Sequence, residues 1–178
     1  MQTDINSAAR VATTATRLPS RRLVNGLGFL ACALLLAYGY YLQFVEYLDP
    51  CPLCIFQRVG LFALGLAFLA AAVHNPSGWG ARAYAVAIGL VALTGAAIAA
   101  RHVWIQSLPP DQVPACGPGL DYILESFPLT EAIQVVLRGS GDCATSDWSF
   151  LGLSIPAWTL LWFVGLGAVG VARNWLRP

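Results

Sequence analysis

The segment "CPLCIFQRVG" (residues 51–60) places Cys51 and Cys54 three positions apart, with Arg58 one helical turn further on. Two cysteines at this spacing can form a small-ring disulfide that exchanges with other thiols, supply half of a zinc site, or brace a loop. A Cys-x-x-Cys bond closes too short a loop to stabilise a fold much through chain entropy. Exposed, strained bonds of this kind are more often redox-active. The spacing therefore favours thiol–disulfide exchange.

Two further cysteines, Cys116 and Cys143, lie in a later stretch rich in Pro, Gly and polar residues. Their wide separation suits a loop-closing disulfide better than the paired motifs of a zinc site, so we expect no metal here. The pairing of the four cysteines in the resting protein stays open at this point. A fifth cysteine, Cys32, lies within an apolar segment, where we expect it to be a small packing residue.

The composition predicts a membrane protein, because 57% of the 178 residues are hydrophobic and only 11% are charged. The net charge of +1 gives no indication of nucleic-acid binding. Four apolar segments are long enough to cross a hydrocarbon core of about 30 Å as helices. They cover residues 24–45, 55–73, 84–105 and 155–172. We therefore predict an all-α membrane protein, with a disordered tail (residues 1–20) and a single domain (residues 21–178) formed by a four-helix transmembrane bundle.

The arginines predict how this bundle is oriented. Seven of the ten lie before the first span, between the second and third, or after the fourth: Arg10, Arg17, Arg21, Arg22, Arg82, Arg173 and Arg177. These positions share one side of a four-span protein, and positive flanks mark the cytoplasmic side, so both termini are predicted to be cytoplasmic. The loops of residues 46–54 and 106–154, which carry four cysteines, are then predicted to face the oxidising compartment.

The longer outer loop contains a segment with helical periodicity. Apolar residues recur there and share one helix face: Leu129, Ile133, Val136 and Leu137. We expect a short amphipathic helix, which either lies on the membrane surface or packs over the mouth of the bundle. Both arrangements keep the loop near the bilayer.

Polar side chains lie at the outer ends of two predicted spans. Cys54 begins the second span, where the positive end of the helix dipole would favour its thiolate. Arg58, on the same helix face, could stabilise that thiolate and bind an oxygen of a ligand, or could extend to lipid phosphate. His102, near the end of the third span, is either a ligand-binding group or a solvated interface histidine. We expect three tryptophans to belong to the aromatic belt and to bundle packing: Trp148, Trp158 and Trp162.

Together these motifs resemble the DsbB family, inner-membrane enzymes of bacteria that generate disulfides for the periplasm. The resemblance is carried by "CPLCIFQR" at the head of the second span, a second cysteine pair in the long outer loop, "SGDC", and "WSFLGLSIPAW" before the last span. It covers nearly the whole chain after the tail. Gln57 and Cys32 depart from the family pattern, and we expect neither to touch the chemistry.

The resemblance implies a function. DsbB-like proteins reoxidise a periplasmic thioredoxin-fold protein, DsbA, and pass its electrons to a membrane quinone, either ubiquinone or menaquinone. By position, Cys51 and Cys54 match the pair nearest the quinone, and Arg58 matches the arginine that contacts it. The implied partner-facing pair is Cys116 and Cys143, and His102 would bind a quinone carbonyl or protonate the reduced ring.

The implied relay begins when a partner thiolate attacks Cys116 and frees Cys143. Cys143 then attacks Cys51, which releases Cys54 as a thiolate beside the quinone.

Two other functions remain possible from the sequence. A reductase of the vitamin K epoxide reductase type would run a similar relay backward, although its reactive Cys-x-x-Cys lies near the end of a later span. A membrane interaction protein would use two disulfides only to brace its outer loops.

Overall fold

The computed structural model describes residues 19–115, 122, 125–126, 128–145 and 148–176. The described helices and strands, in chain order, are α1 (Arg21–Phe44), α2 (Pro52–His74), α3 (Trp79–Gln106), α4 (Leu129–Arg138), a 3₁₀ turn (Gly141–Cys143), β1 (Ser149–Phe150), β2 (Leu153–Ser154) and α5 (Ile155–Trp175). The predicted tail lies almost wholly outside the described residues, and so does Cys116.

Four helices, α1, α2, α3 and α5, are long and apolar enough to cross a membrane. This confirms the predicted fold class, a multi-pass helical membrane protein. Large apolar side chains such as Leu34, Phe62 and Leu93 stay exposed on the outside of the bundle, where a soluble protein would bury them. Lipid is the solvent that suits such a surface.

The helices pack as a ring in which α2 lies between α1 and α3, and α3 lies between α2 and α5. The core is apolar and includes Leu64, Phe68, Ile88 and Phe163, each fully buried. On the side that closes the ring, Asn25 of α1 and Asn174 of α5 exchange amide hydrogen bonds of 3.1 and 2.9 Å. Such paired side chains satisfy their polar groups inside the bundle and fix the register of the two helices.

Glycine allows the closest approach between α3 and α5. A Cβ atom added to Gly95 would overlap the ring of Phe163, whereas one added to Gly26 would meet nothing within 4 Å. Phe163 is fully buried, so it has no free space into which it could move.

Replacing Gly95 with alanine is therefore expected to lower the free energy of unfolding by about 1–3 kcal/mol, since overpacking forces side chains and helices apart. Gly26→Ala provides the matched control and is expected to leave stability nearly unchanged. Unfolding of both variants in mixed detergent micelles measures the difference. Equal stability of the two variants would contradict the close packing at Gly95.

The short helix α4 packs over the mouth of the bundle. Its buried residues are Ala132 and Val136, and Val136 contacts a cluster that includes Leu53 and Ile105. Arg101 of α3 donates hydrogen bonds to the carbonyls of the last two residues of α4. The predicted helix is confirmed, but the predicted apolar face is only partly correct, because Ile133 and Leu137 remain 37% and 38% exposed.

A tight hairpin leads the long loop into α5. Ser149 pairs with Ser154 and Phe150 with Leu153 in an antiparallel register. Both turn residues, Leu151 and Gly152, have positive φ angles of 51° and 77°, which a two-residue hairpin turn of this twist requires. The hairpin holds Phe150 beside Trp158, whose indole donates a hydrogen bond of 3.0 Å to the Phe150 carbonyl.

Candidate redox site

The start of α2 positions the Cys-x-x-Cys pair. Cys51 has an extended backbone and caps the helix, Pro52 occupies the first helical position, and Cys54 lies in the first turn. The two sulfur atoms are 3.3 Å apart, and both are free thiols. Because backbone N–H groups at a helix start have no intrahelical partners and carry partial positive charge, this position favours a thiolate.

Cys143 lies against this pair. The 3₁₀ turn carries its side chain into the cluster of Leu53 and Ile105, where it is 0% exposed. A hydrogen bond with Cys51, followed by burial, raises the pKa of the Cys143 thiol above its ordinary value. The described loop thus brings Cys143 to Cys51, which is the contact that the implied relay requires. The sequence alone gave no distance between these two residues.

This pKa shift leads to a prediction for thiol alkylation in the reduced protein. An ordinary cysteine, with a pKa near 8.5, approaches its maximal rate with iodoacetamide at about pH 10, because it is then almost entirely thiolate. A raised pKa moves this limit upward, so we expect the rate at Cys143 to keep rising about tenfold per pH unit beyond that point. Mass spectrometry of quenched samples measures the rate, with the unfolded chain as control. A plateau at the same pH in both states would contradict the shift.

His102 is buried, with 2% of its surface exposed, and it touches both sulfur atoms of the pair. Its Nε2 lies 3.7 Å from Cys51 Sγ, and its Nδ1 lies 4.0 Å from Cys54 Sγ. The expectation of a solvated interface histidine is therefore wrong. The sequence missed this contact because it depends on how α3 packs against α2.

The hydrogen bonds of His102 define its tautomer. Nε2 lies 3.1 Å from the carbonyl oxygen of Cys143, which can only accept, so Nε2 carries the proton. Nδ1 then accepts from the amide of Gln57, 3.0 Å away and also buried. Gln57, which we expected to lie apart from the chemistry, thus hydrogen-bonds the imidazole that contacts the cysteines.

Arg58 is tied to α1. Its guanidinium donates to the carbonyl of Gly39 at 2.9 Å and to the side chain of Gln43, and it stacks over the ring of Tyr40 at 5.1 Å. It is thus fixed beside the site rather than extended to lipid phosphate. Only two of its five N–H groups have these partners, so others can serve a ligand.

A cavity of about 500 Å³ joins these residues and lies between α1 and α5. Its polar lining includes Cys51, Cys54, Gln57, Arg58 and His102, together with Asp49, Gln106, Asp142 and Thr145. Its apolar and aromatic wall includes Leu35, Leu42, Leu61, Trp158 and Trp162. An apolar pocket of this size with a few convergent polar groups is typical of a site for a small organic ligand. Trp148, Trp158 and Trp162, which we expected in the aromatic belt and in bundle packing, also line this cavity.

The comparisons with known proteins agree over most of the chain. The family model described as "Disulfide bond formation protein DsbB" matches residues 21–172. A protein named disulfide bond formation protein B from Nitrosococcus oceani is 57% identical over 152 residues, which cover 85% of this chain and 90% of the relative. The protein of the same name from Methylococcus capsulatus is 54% identical and covers 89% of this chain and 96% of its own length. One from Acinetobacter baumannii is 51% identical, with coverage of 82% and 85%.

Proposed function

Because the chain belongs to the DsbB family, and hence to the oxidoreductases of disulfide bond formation, we propose that it oxidises a periplasmic dithiol protein and delivers the electrons to a membrane quinone. The dithiol protein is a thioredoxin-fold oxidase of the DsbA type. The single observation that carries the proposal is the cavity at the start of α2, which combines a thiol pair and Arg58 with a lining of apolar and aromatic side chains.

The residues present fit a quinone. Leu35, Leu61 and Trp162 offer apolar contact to a ring or an isoprenoid tail, and Arg58 offers unused donors to a carbonyl oxygen. His102 also lines this cavity, and ubiquinone or menaquinone would match both the apolar contacts and the donors of Arg58. A quinone bound in this cavity supplies a two-electron acceptor for the Cys54 thiolate.

The chain's own part in the reaction begins with the outer cysteines. A partner thiolate attacks Cys116 of the Cys116–Cys143 disulfide, a mixed disulfide forms, and Cys143 leaves with the electron pair. Cys143 next attacks Cys51 of the Cys51–Cys54 disulfide, so that a Cys51–Cys143 bond forms and Cys54 leaves as a thiolate. The hydrogen bond between Cys143 and Cys51 supports this order of attack. The second thiolate of the partner attacks the mixed disulfide, so the oxidised partner leaves and Cys116 is released as a thiolate. Cys116 then attacks Cys143, which re-forms the Cys116–Cys143 bond and frees Cys51.

The leaving group suits its position. A thiol with a stabilised thiolate leaves fastest in exchange, and Cys54 lies in the first turn of α2 with Arg58 one turn further along. His102 can hold its Nε2 proton next to Cys51 while the Cys143 carbonyl fixes the ring. In this proposal the bundle lies in the bacterial inner membrane, with both termini in the cytoplasm and the four cysteines in the periplasm.

The experiment combines the purified protein, reduced DsbA-type partner and a quinone in detergent micelles. We expect one quinone to be reduced for each pair of partner thiols that is oxidised, since both are two-electron steps. The ultraviolet absorbance of the quinone and a thiol reagent measure the two amounts. Partner thiols that remain reduced while the helical fold is intact would rule out the proposal. Net reduction of an oxidised partner by hydroquinone would instead support the reverse relay.

A further inference from the structure

Three potential metal ligands converge at the start of α2, and a further thiol lies beside one of them. Ligand atoms of Cys51, Cys54 and His102 all lie within 4.8 Å of one another. The two sulfur atoms are 3.3 Å apart, and Nε2 of His102 lies 3.7 Å from Cys51 Sγ. The fourth group is the Cys143 thiol, which hydrogen-bonds to Cys51 and is fully buried.

These separations match those between the ligands of a tetrahedral zinc ion. With Zn–S bonds of about 2.3 Å and Zn–N bonds of about 2.0–2.1 Å, two sulfur ligands lie roughly 3.8 Å apart, and a sulfur and a nitrogen roughly 3.6 Å. The two distances from Cys51 Sγ, to Cys54 Sγ and to His102 Nε2, differ from these values by half an ångström or less, which small side-chain rotations can absorb. The Cys143 thiol would have to rotate toward these three ligand atoms to complete the set. Three cysteines and one histidine are also a common ligand set of closed zinc sites.

We propose that the fully reduced site binds one zinc ion through Cys51, Cys54, Cys143 and His102. Each thiol loses one proton to solvent, the ion stays divalent, and no electrons are transferred. His102 coordinates through Nε2, and the proton of this atom moves to Nδ1. Gln57 can accept that proton in a hydrogen bond if its amide turns over and presents its oxygen.

The redox state of the cysteines gates this site. A disulfide sulfur is a poor metal ligand, because the thiolate is the binding form, so oxidation of Cys51 and Cys54 removes two of the four ligands. Conversely, a bound ion holds both thiolates and blocks formation of their disulfide. This explains how the same residues satisfy both interpretations of the Cys-x-x-Cys motif, with disulfide exchange in the working cycle and metal binding in the reduced state.

The experiment uses the full chain in detergent, reduced with a phosphine under argon, with no quinone and no partner protein. Zn²⁺ is titrated in competition with a chromophoric chelator, and Co²⁺ serves as a probe whose ultraviolet charge-transfer bands report thiolate ligands. We expect one ion per reduced chain and affinity at least about a hundredfold lower after oxidation. Cys54→Ser, Cys143→Ser and His102→Gln are each expected to weaken binding by at least about tenfold.

Cys32→Ser is the matched control, because Cys32 is also a buried free thiol but lies in the core cluster of Phe68 and Phe163. We expect it to bind zinc as tightly as the unmodified chain. Helical circular dichroism and gel filtration show whether each variant keeps its fold. The proposal is overturned by a reduced chain that binds no ion, by equal affinity in both redox states, or by ligand variants that bind like Cys32→Ser. Since quinone and partner are absent, neither result depends on the thiol oxidase activity.

Discussion

Replacing Cys54 with serine is expected to lower quinone-dependent oxidation of the partner by at least about a thousandfold, because a serine hydroxyl can neither form a disulfide nor carry its electron pair. Cys54 is the member of the pair that lies inside the first turn of α2, and it lines the cavity together with Arg58. Without the Cys54 sulfur, the proposed relay has no leaving group when Cys143 attacks Cys51. Stopped-flow measurement of quinone absorbance and partner thiols tests this directly.

The same variant separates catalysis from a purely structural role for the disulfides. If the cysteines only brace the outer loops, Cys54→Ser should keep most of the function of the protein, since a four-residue ring contributes little to stability. Cys32→Ser is the control for a general effect of removing a thiol, and it is expected to keep full activity. Retention of more than about a tenth of the activity by Cys54→Ser would contradict the proposed relay.

The transmembrane helices could be predicted from local sequence because lipid imposes a simple requirement. Every backbone polar group must find a partner within its own segment, so a long apolar run has helix as its available structure. The ends of these runs were harder to predict. Helix α3 begins at Trp79, in a segment that includes Arg82 and is too polar to count as part of an apolar run. Pro52 begins α2 because the missing N–H of proline causes no loss at the first helical position.

Some contacts of the site could also be predicted from local sequence, whereas others depend on tertiary packing. Cys51, Cys54 and Arg58 follow one another on a single helix, so their spacing could be interpreted from the sequence alone. His102 and Cys143 come from distant segments, and only the packing of α3 and the path of the long loop bring them to the pair. A buried glutamine gives no pattern in a sequence either. The role of Gln57 follows from the single fact that its amide lies 3.0 Å from an imidazole nitrogen.

The amphipathic helix shows how tertiary packing overrides a periodic pattern. Its large apolar residues predicted one face, yet the small residue Ala132 is buried while Ile133 and Leu137 stay more than a third exposed. Close contact with the ends of α2 and α3 favours a small side chain. The structure thus shows the packing over the mouth of the bundle, whereas contact of the exposed apolar residues with the membrane surface stays a prediction.

Arg58→Gln is expected to lower kcat/KM for the quinone by about a hundredfold, while the KM for the protein partner stays unchanged. The charged guanidinium is held by Gly39 and Gln43 with donors to spare, and a hydrogen bond from a charged donor contributes about 1.5–3 kcal/mol. Arg58→Lys keeps the charge but cannot make two bonds to α1 and also stack on Tyr40, so we expect an intermediate loss. Initial rates over a range of quinone concentrations measure the effect.

The split between the two substrates is what distinguishes quinone binding from a structural role. Arg58 also joins α2 to α1, so its loss could loosen the bundle and slow every step together. A structural role predicts a lower free energy of unfolding and equal losses with either substrate, whereas a binding role predicts a loss confined to the quinone. Arg22→Gln, at an exposed arginine at the other end of the bundle, is the charge-matched control. Unchanged quinone dependence in Arg58→Gln, with the fold intact, would mean that the cavity binds its ligand without this residue.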